Sequence, residues 1–397
     1  MDEKKKEEKK PGSEVSRRDF IKGAATGALA VAATGVLSAC ATPGAAGRAA
    51  RGQSPIFEPT KIGSLTLKNK IIRAAMAERR HDDNGPTPAL LSMLEEEAAG
   101  GAGMIVTGGI GVVREDHLDS IFPGLTEARQ IPAYRRAAEV VHRNGSKICA
   151  QIMMVGDQPG SPFGVERITR EDIRRSINGF AQTAVWLRDA GYDAVNFHFA
   201  HGYLLGNFWS HFRNTRTDEY GGSAENRARF AFEVLEATRR AVGRDFPLTA
   251  KINASEHRLR PGSSQDETNF YVQGLVDRGI DAVETSNSGG AAWTNIFSKE
   301  DHNYNSRDAR AIARSVDVPL IIVGGIRSVF MMEEALRHND KLVGFCMGRS
   351  LLAEPNLPNT WQRDPSYTPK CITCNWCLVQ LFGADHRTLC VLDQNRT

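Results

Sequence analysis

The sequence of 397 residues predicts an α/β fold, a (β/α)8 TIM barrel with a short C-terminal cysteine-rich extension. Three observations lead there. Short apolar runs alternate with longer segments of helical periodicity, the pattern of a parallel sheet. Eight such runs occur, at 71–74, 104–107, 147–152, 194–197, 248–252, 282–285, 320–323 and 343–346, and eight βα units close into a barrel. No G-x-G-x-x-G stands between a strand and a helix, which weighs against a doubly wound sheet.

The helical segments fall between the runs, at 87–99, 133–143, 171–190, 224–242, 265–277, 306–315 and 329–338. An apolar fraction of 41% and a charged fraction of 24% suit a globular domain. The formal net charge of +3 gives no case for a nucleic-acid partner. Residues 1–39 hold 8 Lys/Arg and 6 Asp/Glu, so the remainder is close to neutral.

The first forty residues read as a processing signal. Ser16-Arg17-Arg18-Asp19-Phe20-Ile21-Lys22 matches the twin-arginine export pattern, and Leu37-Ser38-Ala39-Cys40 has the form of a lipobox. The expectation is an exported, extracytoplasmic (periplasmic) lipoprotein tethered to a membrane through lipidated Cys40. The alternative is an ordinary signal peptide cut near Ala41 or Ala46. The intervening segment is too sparse in large apolar residues for a membrane span. Residues 41–54, small and polar with Gly and Pro, read as a flexible tether. The barrel is expected over 55–360 and the cysteine-rich segment over 361–397.

The densest chemistry lies in 194–230. The run Ala194-Val195-Asn196-Phe197 leads into His198, His201 and Tyr203, with Gly202 where a chain leaving a strand can turn. Ser223 is placed to cap the next helix. Two imidazoles and a phenol at the carboxyl end of a strand can hold and protonate a carbonyl compound. A metal pair is the rival, but H-x-x-H off a strand lacks the helical spacing of the zincin motif. Packing is the rival for Tyr203.

Barrels of this kind commonly seat a phosphate on the loops after strands seven and eight. Val323-Gly324-Gly325-Ile326-Arg327 and Met347-Gly348-Arg349 fall there. Their glycines admit backbone amides to phosphate oxygens, and Arg349 can add a charged contact. Turn glycines with a surface arginine are the plain alternative.

The stretch His198-Phe199-Ala200-His201-Gly202-Tyr203-Leu204, followed by a loop close to N-x-R-x-D-x-Y-G-G-S-x-x-N-R-x-R-F over 214–230, resembles the Old Yellow Enzyme family of flavin-dependent ene-reductases. It is most similar to that family's 2,4-dienoyl-CoA-reductase-like branch. The resemblance implies FMN as cofactor and reduction of the C=C bond of an unsaturated carbonyl compound. His198 and His201 would then hold the carbonyl oxygen, and Tyr203 would protonate the α-carbon. Gln151 matches the residue that bonds the flavin pyrimidine edge, and Lys251 the cation near N1 and O2. The alternative for Lys251 is a barrel-interior lysine paired with Glu284. Met76 and Ala77 stand where the family shows P-M-[TC], so the side chain that tunes the flavin O4 is absent. Met153-Met154-Val155-Gly156-Asp157 also departs from the pattern after the third strand, which alters the wall of the substrate pocket.

Cys149 and Cys346 lie inside apolar runs and read as buried small hydrophobes. Cys371, Cys374, Cys377 and Cys390 crowd the C-terminus. Their C-x2-C-x2-C spacing with a remote fourth thiol suits a [4Fe–4S] cluster, with zinc and disulfides as alternatives. The branch carries a cluster here too, and one residue between the second and third thiols is missing relative to it. Export makes NAD(P)H scarce, so a membrane or redox-protein electron donor is expected. An amine dehydrogenase and an electron-transfer lipoprotein are the competing readings.

Overall fold

The computed structural model describes residues 54–116, 123–157, 161–254, 263–287, 303–381 and 388–392. The export motif, the lipobox with Cys40 and the tether up to residue 53 lie outside the described residues. Eight strands form one closed, all-parallel barrel: β1 Ile71–Arg73, β2 Met104–Gly111, β3 Lys147–Met153, β4 Ala194–Phe199, β5 Leu248–Asn253, β6 Ala282–Ser286, β7 Leu320–Val323 and β8 Leu342–Met347. Each strand pairs with the next, and β8 returns to β1 through Cys346 opposite Ile72. The helices between them are α1 Pro88–Ala99, α2 Ile131–His142, α3 Arg170–Asp189, α4 Ala224–Val242, α5 Gln265–Asp277, α6 Ser306–Ser315 and α7 Val329–Arg337, followed by the short α8 Arg349–Ala353. Among the described residues no helix is long and apolar enough to cross a membrane.

Local chemistry explains the boundaries. Ser223 accepts the Asn226 amide, as its position predicts, and opens α4. Thr169 with Asp172, and Ser264 with Glu267, form reciprocal capping boxes that open α3 and α5. Gly243, with φ of 82°, ends α4 in a conformation that side chains disfavour.

Strand side chains alternate between two clusters, as a period of two requires. Ile71, Ile105, Ile148, Val195, Phe197 and Phe345 face the helices. Ile72, Met104, Val106, Cys149, Ala194, Ala282, Ile321 and Cys346 face the barrel axis, together with Ile62, Leu65 and Leu67 of a small hairpin. That hairpin pairs Thr60–Ile62 with Leu65–Leu67 and fills the end nearest the amino termini of the strands. Cys149 and Cys346 are buried there, as expected.

Three details differ from the sequence reading, and ahead of the hairpin Pro55–Phe57 forms a 3-10 turn capped by Ser54. Helix α2 starts at Ile131, whose following proline suits a first turn. A short helix, Leu204–Trp209, follows the tyrosine of the H-x-x-H-G-Y stretch. Strand β2 runs on to Gly111 through a register shift between Thr107 and Ile110.

The shift frees the Gly108 amide, which donates to the Glu78 carboxylate at 2.9 Å and 3.0 Å. A side chain on Gly108 would collide with the Met76 carbonyl and with Glu78, so the bulge requires glycine. Glu78 in turn binds Arg73 Nη1 at 2.6 Å, while Arg73 Nε lies 3.0 Å from Glu97 on α1. Arg73 is fully buried, and the two carboxylates hold its guanidinium charged against the cost of burial.

Candidate active site

Counting inward-facing positions toward the carboxyl ends of the strands turns the barrel from apolar to polar. On β3 the sequence passes from Cys149 to Gln151, on β4 from Ala194 to Asn196 and His198, on β5 from Thr249 to Lys251 and Asn253, and on β6 from Ala282 to Glu284 and Ser286. Strand register then decides the contacts. Gln151 lies opposite Asn196 and donates to its Oδ1 at 2.8 Å. Asn196 lies opposite Thr249 and donates to its hydroxyl at 2.9 Å. Lys251 lies opposite both His198 and Glu284, and its Nζ stands 3.2 Å from Glu284 Oε1. The Lys251–Glu284 pairing therefore holds inside the barrel, level with His198 on the neighbouring strand.

His198, His201 and Tyr203 come together as one ring cluster. The His198 ring meets His201 edge-on with centroids 4.9 Å apart, and meets Tyr203 the same way at 4.6 Å. His198 Nδ1 accepts the Ala200 amide at 3.2 Å, so in the neutral ring the proton sits on Nε2. His201 adopts a left-handed backbone with φ of 61°, costly for a side chain other than glycine. Two contacts hold it there. Its amide donates to Asn253 Oδ1 at 3.1 Å, and its Nε2 lies 2.7 Å from Ser286 Oγ. Asn253 and Ser286 stand opposite each other on β5 and β6.

Burial lowers the His198 imidazole well below its usual range, and the neighbouring His201 and Lys251 charges add to the effect. The same kind of causes, burial first and Lys251 second, lower His201. As a residue, His201 is nonetheless exposed at the rim, whereas His198 is buried. Burial pushes the Tyr203 phenol up to about 12. At neutral pH the cluster therefore offers two neutral rings and a protonated phenol.

The loop motif after β4 is scaffolding. Asn214 donates to the Phe208 and Tyr220 carbonyls at 2.9 Å and 2.8 Å. Arg216 pairs with Asp218 and donates to the Val165 and Ile168 carbonyls. These residues hold the loop in shape and do not approach the three rings through any contact described.

At the far side of the mouth, Gly324 and Gly325 follow β7 with φ of 107° and 67°, and Gly348 follows β8. Met76 Sδ would lie 3.6 Å from a Cβ on Gly348, so the ends of β1 and β8 adjoin with Met76 and Ala77 at their junction. Backbone amides at two glycine turns, with a buried cation and a buried carboxamide on the strands flanking β4, fit a flavin mononucleotide: Gly324, Gly325, Gly348 and Arg349 would face the phosphate, and Gln151 and Lys251 the ring. Arg349 has a further engagement that the sequence did not show. Its Nη1 donates to Asn375 Oδ1 in the cysteine segment, and Arg327 donates to the Thr373 hydroxyl and the Cys371 carbonyl. Thr388 Oγ1 also donates to the Ala77 carbonyl at 2.6 Å.

Cys371, Cys374, Cys377 and Cys390 line one hollow together with Arg349 and Asn375. All four are free thiols. Burial pushes the Cys377 thiol up to about 11, with its three neighbours adding to the effect and Arg349 opposing it. Among the described residues, no group of three or more His, Cys, Asp or Glu side chains is drawn together closely enough to hold a metal ion.

The family model described as the NADH:flavin oxidoreductase / NADH oxidase family matches residues 55–162 and 157–365. A "Metal reductase" from Desulforamulus reducens is 32% identical over 356 residues, covering 83% of this chain and 52% of that protein. The chain thus spans about half the length of that relative. An "NADPH dehydrogenase" from Clostridium acetobutylicum is 30% identical over 318 residues, covering 76% of this chain and 92% of that protein. A solved 2-naphthoyl-CoA reductase complex superposes with a TM-score of 0.77 at 22% identity, covering 85% of this chain and 57% of the other, which shows a common fold. The chain belongs to the NADH:flavin oxidoreductase / NADH oxidase family of FMN-dependent oxidoreductases.

Proposed function

We propose that this protein reduces the C=C bond of an α,β-unsaturated carbonyl compound at the mouth of the barrel. The observation that carries the reading is the contact of the His198, His201 and Tyr203 rings at the end of β4. Bound FMN would supply hydride from N5 to the β-carbon. His198 donates from Nε2 to the substrate carbonyl oxygen and stabilises the negative charge that develops there. His201, held by Ser286 and Asn253, shares that oxygen. Tyr203 gives its proton to the α-carbon. A phenol near 12 suits this step, because the enolate carbon is far more basic and the proton stays on the oxygen until that carbon calls for it.

The pH dependence follows from the directions of these shifts. His198 and His201 are lowered, so they gain charge only well below their ordinary range, and Tyr203 is raised, so it loses its proton only in strong alkali. Alkene turnover with a saturating donor is expected to be flat from roughly pH 6 to 9. A bell with a limb near the ordinary imidazole value would remove the neutral-histidine assignment.

Further parts of the proposal concern electrons and address. The four cysteines around one hollow support a [4Fe–4S] cluster held by Cys371, Cys374, Cys377 and Cys390, beside the turns that would hold the flavin phosphate. Anaerobically purified protein is expected to contain about four iron and four sulfide per chain, and absence of iron would end the cluster reading. Export through the twin-arginine signal and anchoring through lipidated Cys40 would place the enzyme away from nicotinamide, with a membrane or redox-protein donor. The NADPH dehydrogenase relative favours direct reduction by NADPH instead. Stopped-flow reduction of the flavin decides: rapid bleaching by NADPH or NADH overturns the partner-donor reading.

A further inference from the structure

Asn303, Tyr304 and Asn305 immediately precede α6 and lie against the turn after β7. The Asn303 amide donates to the Gly325 carbonyl at 3.1 Å, and Asn305 Nδ2 donates to the Val323 carbonyl at 2.5 Å. Asn305 is itself held by Asn287 Nδ2 at 2.5 Å, at the end of β6. Between these two anchors the Tyr304 ring lies flat on Gly324: a Cβ on that glycine would stand 2.5 Å from Cε2, Cζ and the hydroxyl oxygen alike. The ring is half-buried, and its hydroxyl makes no hydrogen bond with any described residue. Burial pushes the phenol up, while the nearby Arg349 charge acts in the opposite sense. A donor without a hydrogen-bond partner among the described residues is thus anchored beside two glycine turns and an arginine. A loop clamped to the backbone on both sides of a side chain holds that side chain in place before any ligand arrives.

We propose that the Tyr304 hydroxyl is a phosphate-binding group, donating to a phosphate monoester seated over the Gly324–Gly325 turn and so selecting FMN over riboflavin. The inference rests on the FMN reading of the barrel mouth and extends it to a residue on the loop before α6. It also explains why position 324 is glycine beyond its positive φ, since any side chain would displace the phenol.

The test uses the full-length protein purified with its flavin, exchanged by dialysis into FMN or riboflavin, with release on dilution followed by recovery of flavin fluorescence. Tyr304→Phe keeps the ring on Gly324 and removes only the hydroxyl. Loss of a hydrogen bond to a charged group is expected to weaken FMN about ten-fold or more, with riboflavin unchanged and the thermal midpoint preserved. Equal affinity of Tyr304→Phe and the parent for FMN overturns the Tyr304 assignment while leaving the cofactor reading intact. Equal weakening of both flavins also overturns it, because the residue would then support the turn without reading the phosphate. If the parent protein does not distinguish FMN from riboflavin, the cofactor reading and the inference fall together.

Discussion

Tyr203→Phe is expected to lower alkene turnover by about 10²- to 10⁴-fold, the range for removing a positioned general acid, while flavin content and the rate of flavin reduction stay unchanged. The reason is geometric. The phenylalanine ring keeps the edge contact that Tyr203 makes with His198 at 4.6 Å, so the oxygen-binding pair stays in place. Only the proton donor goes. Substrate should still bind, but an enolate left without its proton returns the hydride, so net flavin oxidation slows to the rate at which solvent supplies the proton. The measurement is single-turnover oxidation of pre-reduced enzyme by an enone, with flavin absorbance as readout. Oxidation at the parent rate would remove Tyr203 from the chemistry.

Arg73→Met should cost about 3–5 kcal/mol of stability, the penalty for stranding one side of a buried ion network. The methionine roughly matches the arginine stem in volume, so packing is largely conserved. Glu78 and Glu97 would be left buried with their guanidinium gone, and Arg73 Nη1 would no longer satisfy the Val106 carbonyl. Glu78 also receives the Gly108 amide at the β2 bulge, so its displacement should loosen β2 beside the junction where Met76 sits. A chemical-denaturation midpoint tests this directly. The double replacement Arg73→Met with Glu78→Gln should recover part of the loss, because one stranded charge is then removed. A single variant as stable as the parent would show that solvent reaches this network.

The alternation of apolar runs with helical segments is a local property, and among the described residues it locates every barrel strand and every long helix. The ends were less legible. The β2 extension depends on a bulge stabilised by Glu78, thirty positions back in the chain, and no window of sequence contains that contact. The Leu204–Trp209 helix is six residues of mostly apolar sequence, too short for a period of 3.6 to declare itself. His198, His201 and Tyr203 were visible because they are chemically distinctive and close together. Asn196, Thr249, Asn253 and Ser286 were missed, although the signal was present: each lies an even number of positions from an inward-facing residue on its own strand. What no counting could supply is that His201 rests on residues of two neighbouring strands. The role of Arg349 was legible only in part, since its contact with Asn375 joins a barrel loop to a segment with no periodicity.

The hairpin that fills one end of the barrel gives the molecule a division of evolutionary labour. Ile62, Leu65 and Leu67 close the floor against Ile72, Met104 and Cys149, so the apolar half of the barrel has no access to ligand. Change there is judged by folding alone. The polar half opens to the loops, where substitutions alter what enters and how it is held. A lineage can therefore exchange its rim and acquire new substrates while the floor stays under an unrelated selection.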